Sequence, residues 1–500
     1  MTVLLINPGS TQVDKSWAYR KFFTPIPPLG LAYLAAVLEK DGFRVLVHDQ
    51  FACKSADREL LRIVAEERPS VVGFGALTPV MPDASRAAVR IKAAFPAVKI
   101  AAGNIHPTCF PEDVLSGGSA DVVVRGEGEI SMLELCRRVR DGGGWEGVGG
   151  ISFRTADGRI VHNPDREVIA DLNSLPFPAW HLFDPDRYTR APLLGIRNMR
   201  AFPVLASRGC DYRCYYCSQD KLYKQVRYRQ MRLVVEEMEY FHRAMGIGFF
   251  GFCDAYFPFN EESGLIFCEL LMRRGLQKKI KWSTETRVDK VTPRLLKTMK
   301  RAGAHLIMYG IEVGDAAVLN AVNKRASLPE AEFALRETRR AGILSQGLFI
   351  LGLPGETEQT CRRTMRFAAR LDPDFAKFNL AMPYPGSRFY DDYRRSFGAG
   401  APEHPERFSS WYDWTGDSGE LIYTPAGMDG NTLRRLQREA MFGYYMRPRV
   451  VIRHILKGTI GLKDFFFGAL WLFSLLLKGD RSGPGFGKIK KREGSDVQKK

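Results

Sequence analysis

Cysteine is scarce in this chain: nine among 500 residues, an odd number and widely scattered apart from one cluster. A disulfide framework is therefore excluded as the source of stability. The opening Met-Thr-Val-Leu-Leu-Ile-Asn-Pro-Gly lacks a basic stretch, an apolar run of leader length and a cleavage site. It reads as a strand and a turn, and a reducing, cytoplasmic location is expected. No Gly-x-Gly-x-x-Gly follows that first strand, which argues against a dinucleotide fold. The apolar run Phe465–Leu477 has thirteen residues, short of the ~20 that cross a bilayer. What the chain does have is a hydrophobic content of 45%, enough for two or three packed domains, and a net charge of +17. From Arg434 onward sixteen Lys/Arg stand against five Asp/Glu, a local +11. Nucleic acid or an anionic membrane would suit such a tail, and the apolar content of the same segment favours the membrane.

The cysteine cluster is Ser-Arg-Gly-Cys210-Asp-Tyr-Arg-Cys214-Tyr-Tyr-Cys217-Ser, spaced C-x3-C-x2-C after the strand-like Phe202–Ala206. Zinc would require a fourth Cys or His at ligand spacing, yet the next are Cys253 and His242. Three thiolates on one loop instead suit a [4Fe–4S] cube with one iron left open to a small molecule. Tyr216 is placed to shield such a cluster from water. The six remaining cysteines (Cys53, Cys109, Cys136, Cys253, Cys268 and Cys361) are expected to be structural. The motif resembles the signature of the radical S-adenosylmethionine (radical SAM) enzymes. There the open iron chelates the amino and carboxylate groups of S-adenosylmethionine.

Residues 1–140 alternate short apolar strands with helices, which predicts a doubly wound, Rossmann-like parallel sheet of five strands. Cofactors bind such sheets at the carboxyl ends of their strands. Those ends carry Ala76-Leu-Thr78, Gly103-Asn-Ile-His106-Pro-Thr108 and Gly126-Glu127-Gly-Glu129. The stretch from Pro27-Pro28-Leu-Gly to Gly126-Glu-Gly-Glu resembles the cobalamin-binding domain that precedes many radical SAM cores. That resemblance implies a cobalamin pocket at Thr78, Gly103, His106, Thr108, Gly126 and Glu127. Two departures stand out. The usual Gly-Gly is Gly103-Asn104 here, and the Asp-x-His-x-x-Gly motif that supplies a cobalt-ligating histidine elsewhere is absent. His106 is thus read as a pocket residue.

Residues 141–200 read as a connector, with a hairpin turn at Ala156-Asp-Gly-Arg and a proline-stiffened Leu175-Pro-Phe-Pro-Ala-Trp180. Residues 201–390 repeat the strand–helix alternation with six strands, which predicts an open (β/α)6 barrel. Polar groups at strand C-termini face the reaction in such barrels, and Asp254, Glu285, Arg287 and Glu312 each end a strand. By the resemblance these four hold S-adenosylmethionine, with Ile350 and Leu351 flanking its adenine. Asp254-Ala255 replaces the family's frequent Asp-Asp.

Residues 391–480 are expected to form a cap over the barrel mouth, a basic helix over Leu433–Ile460 and an apolar helix at 465–477 in the membrane interface. Residues 481–500 read as a basic disordered tail. The resemblance implies a cobalamin-dependent radical SAM C-methyltransferase. Its substrate would be an unactivated carbon of a small molecule or lipid, and its electron donor a reduced flavodoxin or ferredoxin-type protein. No nucleic acid is expected, and a peripheral site on the inner membrane face is. Rivals are a non-methylating enzyme of the same build that closes or rearranges rings, a methylthiotransferase, and a non-catalytic cobalamin carrier.

Overall fold

In the computed structural model, residues 1–9, 25–188, 199–397 and 421–459 are described. The first sheet is built from β1 (Thr2–Asn7), β2 (Arg44–Asp49), β3 (Val71–Gly75), β4 (Lys99–Gly103) and β5 (Val122–Val124). Their Val- and Ile-rich runs are buried on both faces, as parallel strands between helix layers must be. Helices α1 (Leu29–Lys40), α2 (Asp57–Glu67), α3 (Met81–Ala94), α4 (Ile105–Cys109), α5 (Pro111–Ser116) and α6 (Gly128–Arg140) complete this layer structure. One core holds the inner side chains of α1 and α6, the other those of α2, α3 and α5. The hairpin read in the connector is not a separate piece. Its strands β6 (Ile151–Arg154) and β7 (Ile160–His162) extend the sheet antiparallel, giving the order β2-β1-β3-β4-β5-β6-β7.

The second sheet is fully parallel, in the order β15-β14-β13-β12-β11-β8. Its strands are β8 (Arg200–Val204), β11 (Ile247–Phe252), β12 (Lys281–Thr286), β13 (Ala304–Glu312), β14 (Leu344–Leu351) and β15 (Phe375–Leu380). A two-stranded ladder, β9 (Ser207–Arg208) and β10 (Arg227–Tyr228), flanks the cysteine loop. The outer helices include α7 (Met231–Met245), α8 (Glu261–Arg273), α9 (Pro293–Arg301), α10 (Ala316–Ala321), α11 (Leu328–Arg340), α12 (Glu358–Leu371) and α13 (Arg388–Phe397). Local chemistry sets their starts: Asn260, Ser327 and Thr357 each close a reciprocal capping box. The expected single helix over Leu433–Ile460 is instead two, α14 (Gly430–Tyr445) and α15 (Pro448–Lys457). Pro448 is the cause, because it cannot donate to the preceding turn but starts a new helix without loss. The expected cap lies largely outside the described residues, and the apolar 465–477 segment and the basic tail entirely so.

The connector ties the halves together. Trp180 is fully buried, with its ring 5.2 Å from Phe202 of β8, while Ala179 N–H bonds Ala32 O of α1 at 3.0 Å. Beside this lies a buried charge cluster. Arg208 bonds Glu129, Arg227 bonds Glu127 at 2.9 Å, and Arg208 stands 3.7 Å from Glu127. These four side chains are at most 7% exposed. Burial would push the Glu127 carboxyl up, but Arg227 and Arg208 hold it below its ordinary value. Removing one partner of a buried pair strands the other's charge. Glu127→Ala should thus lower stability on the order of 3–5 kcal/mol, read as a shifted urea midpoint in Trp fluorescence; an unchanged midpoint would refute the clamp.

Candidate functional site

Cys210, Cys214 and Cys217 sit half-buried on the loop that follows β9 at the carboxyl end of the barrel. The loop starts at Gly209, whose φ of +91° suits glycine, and a Cβ there would stand 2.4 Å from Gln225 O. Cys217 N–H bonds Cys214 O at 3.1 Å, and Tyr215 N–H bonds Val322 O at 2.9 Å. Among the described residues the thiols are not gathered around one point as ligands of a single ion would be. Each thiolate of a cube takes its own iron. Tyr216 packs behind the loop beside Glu312, and burial with that carboxylate holds its hydroxyl proton well above the ordinary range.

Side chains alternate along the barrel strands, so each strand has a lumen face and a helix face. Trp282, Tyr309, Phe349 and Leu351 join the core under the helices, and Tyr309 hydroxyl bonds Thr338 of α11 at 2.7 Å. Ser283, Glu285, Met308, Gln346, Ile350, Lys377 and Asn379 occupy the opposite face. The expected adenine pair is thereby split. Ile350 faces the lumen, but Leu351, its neighbour, is buried in the helix-side core.

The four polar strand-end residues take different duties. Glu285 opens onto the lumen, and its carboxylate makes no hydrogen bond or ion pair among the described residues. Burial and the nearby Glu312 raise its pKa, while Lys324 and Lys377 oppose them. Glu312, at φ 71°, is buried in an ion pair 2.5 Å from Lys324 Nζ. Arg287 donates to Lys324 O at 2.9 Å and Arg325 O at 2.6 Å, and its guanidinium lies 3.4 Å from the centre of the Tyr212 ring. Asp254 turns back on the chain before the cysteines, accepting from Ala206 N–H at 3.1 Å and Ser207 hydroxyl at 2.6 Å. Burial pushes its pKa up to about 7. Asp254 and Arg287 therefore hold loops, in place of the free, ligand-facing groups the sequence suggests. Lys324 was missed, since one lysine between two helices carries no motif. Cys253, expected to be structural, is exposed at the end of β11.

The six residues expected around cobalamin take different local roles. Thr78 is buried in the turn before α3. Thr108 Oγ1 accepts from Gly126 N–H at 3.1 Å, tying the ends of β4 and β5 together beside Gly103. Glu127 belongs to the domain clamp. His106 is 5% exposed with no partner on Nδ1. It lines a cleft of about 610 Å³ between α3 and α5, with Ser85, Arg86 and Arg90. Small residues stand at the strand ends: Gly103 and Gly126 are half-buried with only distant neighbours, whereas Ala76 is fully buried and Gly75 backs onto Leu31. His106, with its unpartnered Nδ1, and the half-buried Gly103 and Gly126 are the residues here that could border a cobalamin-sized group.

The comparisons agree with that geometry. Residues 204–368 match the radical SAM superfamily, and residues 18–136 match the B12 binding domain. The chain belongs to the cobalamin-binding radical SAM enzymes. Its cofactors are a [4Fe–4S] cluster, S-adenosylmethionine and cobalamin. It is 28% identical over 458 residues to a Pyrococcus horikoshii protein named as an uncharacterized methyltransferase, PH0819, covering 91% of this chain and 95% of that one. An anaerobic magnesium-protoporphyrin IX monomethyl ester cyclase of Rubrivivax gelatinosus is 29% identical over 403 residues, 78% of this chain and 70% of that one. The radical S-adenosylmethionine methyltransferase TsrM of Kitasatospora setae has the same fold, with a TM-score of 0.68 at 19% identity over 90% of both chains.

Burial holds the His106 pKa down at about 4, well below its ordinary value near 6.5. Between those values the unfolded chain binds a proton and the folded chain does not, so stability falls as pH drops through that window. His48 and His454 are lowered too, so the test is a difference. His106→Gln should flatten the acid loss of stability by on the order of 1–3 kcal/mol at pH 4.5, measured by urea denaturation at pH 4.5 and 7.5; parallel curves would contradict it.

Proposed function

We propose that the enzyme transfers a methyl group to an unactivated carbon. The observation that carries this reading is the pairing of a half-buried three-cysteine loop at the barrel mouth with a neighbouring sheet whose strand ends carry the small, half-buried Gly103 and Gly126. When bound, the cluster and S-adenosylmethionine supply a radical able to take hydrogen from carbon, and cobalamin supplies the methyl group. The chain's part is to hold and to exclude. Cys210, Cys214 and Cys217 would take three iron corners. Glu285 and Glu312 would receive the amine or ribose hydroxyls of S-adenosylmethionine, and Ile350 would lie against adenine. Thr78, Gly103, His106 and Gly126 would border cobalamin. A reduced flavodoxin- or ferredoxin-type protein would supply the electron. A cyclase relative keeps ring closure as the second reading, and product mass separates the two.

The substrate reading is a small molecule or a lipid brought to an anionic membrane face. No helix among the described residues is long and apolar enough to cross a membrane. Helix α15 carries exposed Ile452, Ile455 and Leu456, at 55%, 47% and 81% exposure, beside Arg449 and Lys457. Yet it packs at the amino end of β15, where Arg453 bonds Asp372 and Lys457 bonds Asp374. The cysteines lie at the carboxyl ends, so the surface that α15 would dock on lies across the barrel from the mouth. Docking there would tether the enzyme without delivering a lipid straight to the radical. The lumen side chains Gln346, Lys377 and Asn379 add that a substrate with a polar or anionic group fits better than a bare hydrocarbon.

Cys210→Ala, Cys214→Ala and Cys217→Ala should each abolish 5′-deoxyadenosine formation in anaerobic assays while circular dichroism stays unchanged. Normal yield from any one would sink the cluster assignment. With a true substrate the product should gain one methylene; an unchanged carbon count would favour the cyclase reading. Removing residues 462–500 should release the chain from anionic liposomes in flotation without reducing S-adenosylmethionine cleavage, and a full-length chain that never floats would end the membrane reading.

A further inference from the structure

Lys324 lies in a short loop, residues 322–326, between α10 and α11. Its position is over-determined. Asn323 and Arg325 on either side are left-handed, at φ 52° and 50°. Val322 O accepts from Tyr215 N–H at 2.9 Å, and Asn323 Nδ2 donates to Arg213 O at 2.8 Å. Both bonds clamp the loop onto the residues flanking Cys214. Arg287 grips it from the other side through the carbonyls of Lys324 and Arg325. The ammonium so placed is 6% exposed and 2.5 Å from Glu312 Oε1. Even the strand beneath is cut to fit, since a Cβ at Gly310 would stand 2.8 Å from Lys324 Nζ and 2.7 Å from Glu312 Oε1.

Such a buried pair is costly to form, because both ions leave water, and two hydrophobic residues would pack there with less loss. Its neighbourhood gives it a use. The Lys324 charge acts on Cys214 and Cys217, and the Arg287 charge acts on Cys210. Two buried cations thus stand beside the cysteine loop, Lys324 in the segment bonded to Arg213 and Tyr215, and Arg287 holding that segment by its carbonyls.

We propose that Lys324 sets the reduction potential of the cluster held by Cys210, Cys214 and Cys217, with Glu312 as the opposing charge. The step is a single electron transfer. One electron passes from a flavodoxin- or ferredoxin-class donor to the cluster, no bond in the protein breaks, and no proton moves. The reduced cluster carries one more negative charge than the oxidised one. A fixed ammonium stabilises that form and a fixed carboxylate destabilises it, in a site where low dielectric keeps both effects large. Lys324 is a positioning and tuning residue, and it acts before S-adenosylmethionine is cleaved.

The proposal rests on the cluster reading, and the two fail separately. Full-length protein, reconstituted anaerobically with iron and sulfide but without cobalamin, is titrated with Ti(III) citrate while the reduced-cluster signal is followed by electron paramagnetic resonance. Lys324→Gln should shift the reduction equilibrium about tenfold toward the oxidised form, or about 59 mV more negative. Glu312→Gln should move it the opposite way. Lys324→Arg keeps the charge and should stay near wild type, and the double Lys324→Gln/Glu312→Gln variant should return toward it. If Lys324→Gln does not fold, Glu312→Gln and the double variant still decide the sign. Equal midpoints in folded variants with full iron content, or shifts of one sign for both single variants, would overturn the role of Lys324. A wild-type chain that takes up no iron would overturn the cluster reading instead.

Discussion

The site depends on a buried cluster of charges that fixes one sheet against the other. Arg208 is the second residue before Cys210, and its guanidinium is bonded to Glu129 at the start of α6. Arg227, on the partner strand β10, bonds Glu127. The two carboxylates belong to the turn that closes β5, and the two arginines to the ladder that opens the cysteine loop. Behind them Arg229 pairs with Glu237 at 2.7 Å and donates to the Tyr33 hydroxyl of α1 at 3.2 Å. Ionic groups sealed from water tolerate little displacement, because each loses its compensation as it moves. The cysteine loop is thus set by the sheet domain as much as by its own barrel. An enzyme that must bring three cofactors to one substrate carbon needs that rigidity.

The pleat of the barrel strands divides the remaining work. One face of each strand feeds a continuous aromatic and aliphatic core under the helices, as with Trp282, Phe267 and Phe252 in edge-to-face contact. The other face is left for polar side chains, which would be expensive in a sealed core but are hydrated or paired in an open lumen. Stability and chemistry are therefore drawn from alternate residues of the same segments. Position along the strand then decides accessibility: Glu285 and Glu312 sit near the carboxyl ends, while Lys377 sits one pleat below Asn379.

This division explains what was legible in the sequence. The C-x3-C-x2-C spacing, the strand–helix alternation and the six barrel strands are local patterns, and each is where the sequence put it. The resemblance pairs Leu351 with Ile350 at the adenine, yet one step along a strand reverses the face. Glu127 lay in a turn that invited a cofactor, but its partners Arg227 and Arg208 are far off in sequence. In a chain with 73 Lys/Arg, no local pattern marks which of them is buried. Lys324 escaped for the same reason. The break at Pro448 was readable from proline chemistry and was overlooked across an otherwise basic, helical stretch.

The turn after β4 holds one strained residue. Asn104 follows Gly103 at φ 84°, ψ −169°, a region populated almost only by glycine. Glycine would adopt such a backbone freely, whereas Asn104 holds it at a cost on the order of 1–3 kcal/mol. Its side chain recovers part of that by accepting from Ile105 N–H at 2.7 Å, which starts the helix bearing His106. The same turn is secured by Thr108, whose hydroxyl donates to Asn104 O at 2.7 Å and accepts from Gly126. A relaxed backbone would have cost less, so the strain is tolerated because the turn cannot be elsewhere. It sets His106 at the cleft beside α3 and, through Thr108, ties the end of β4 to Gly126 beyond β5.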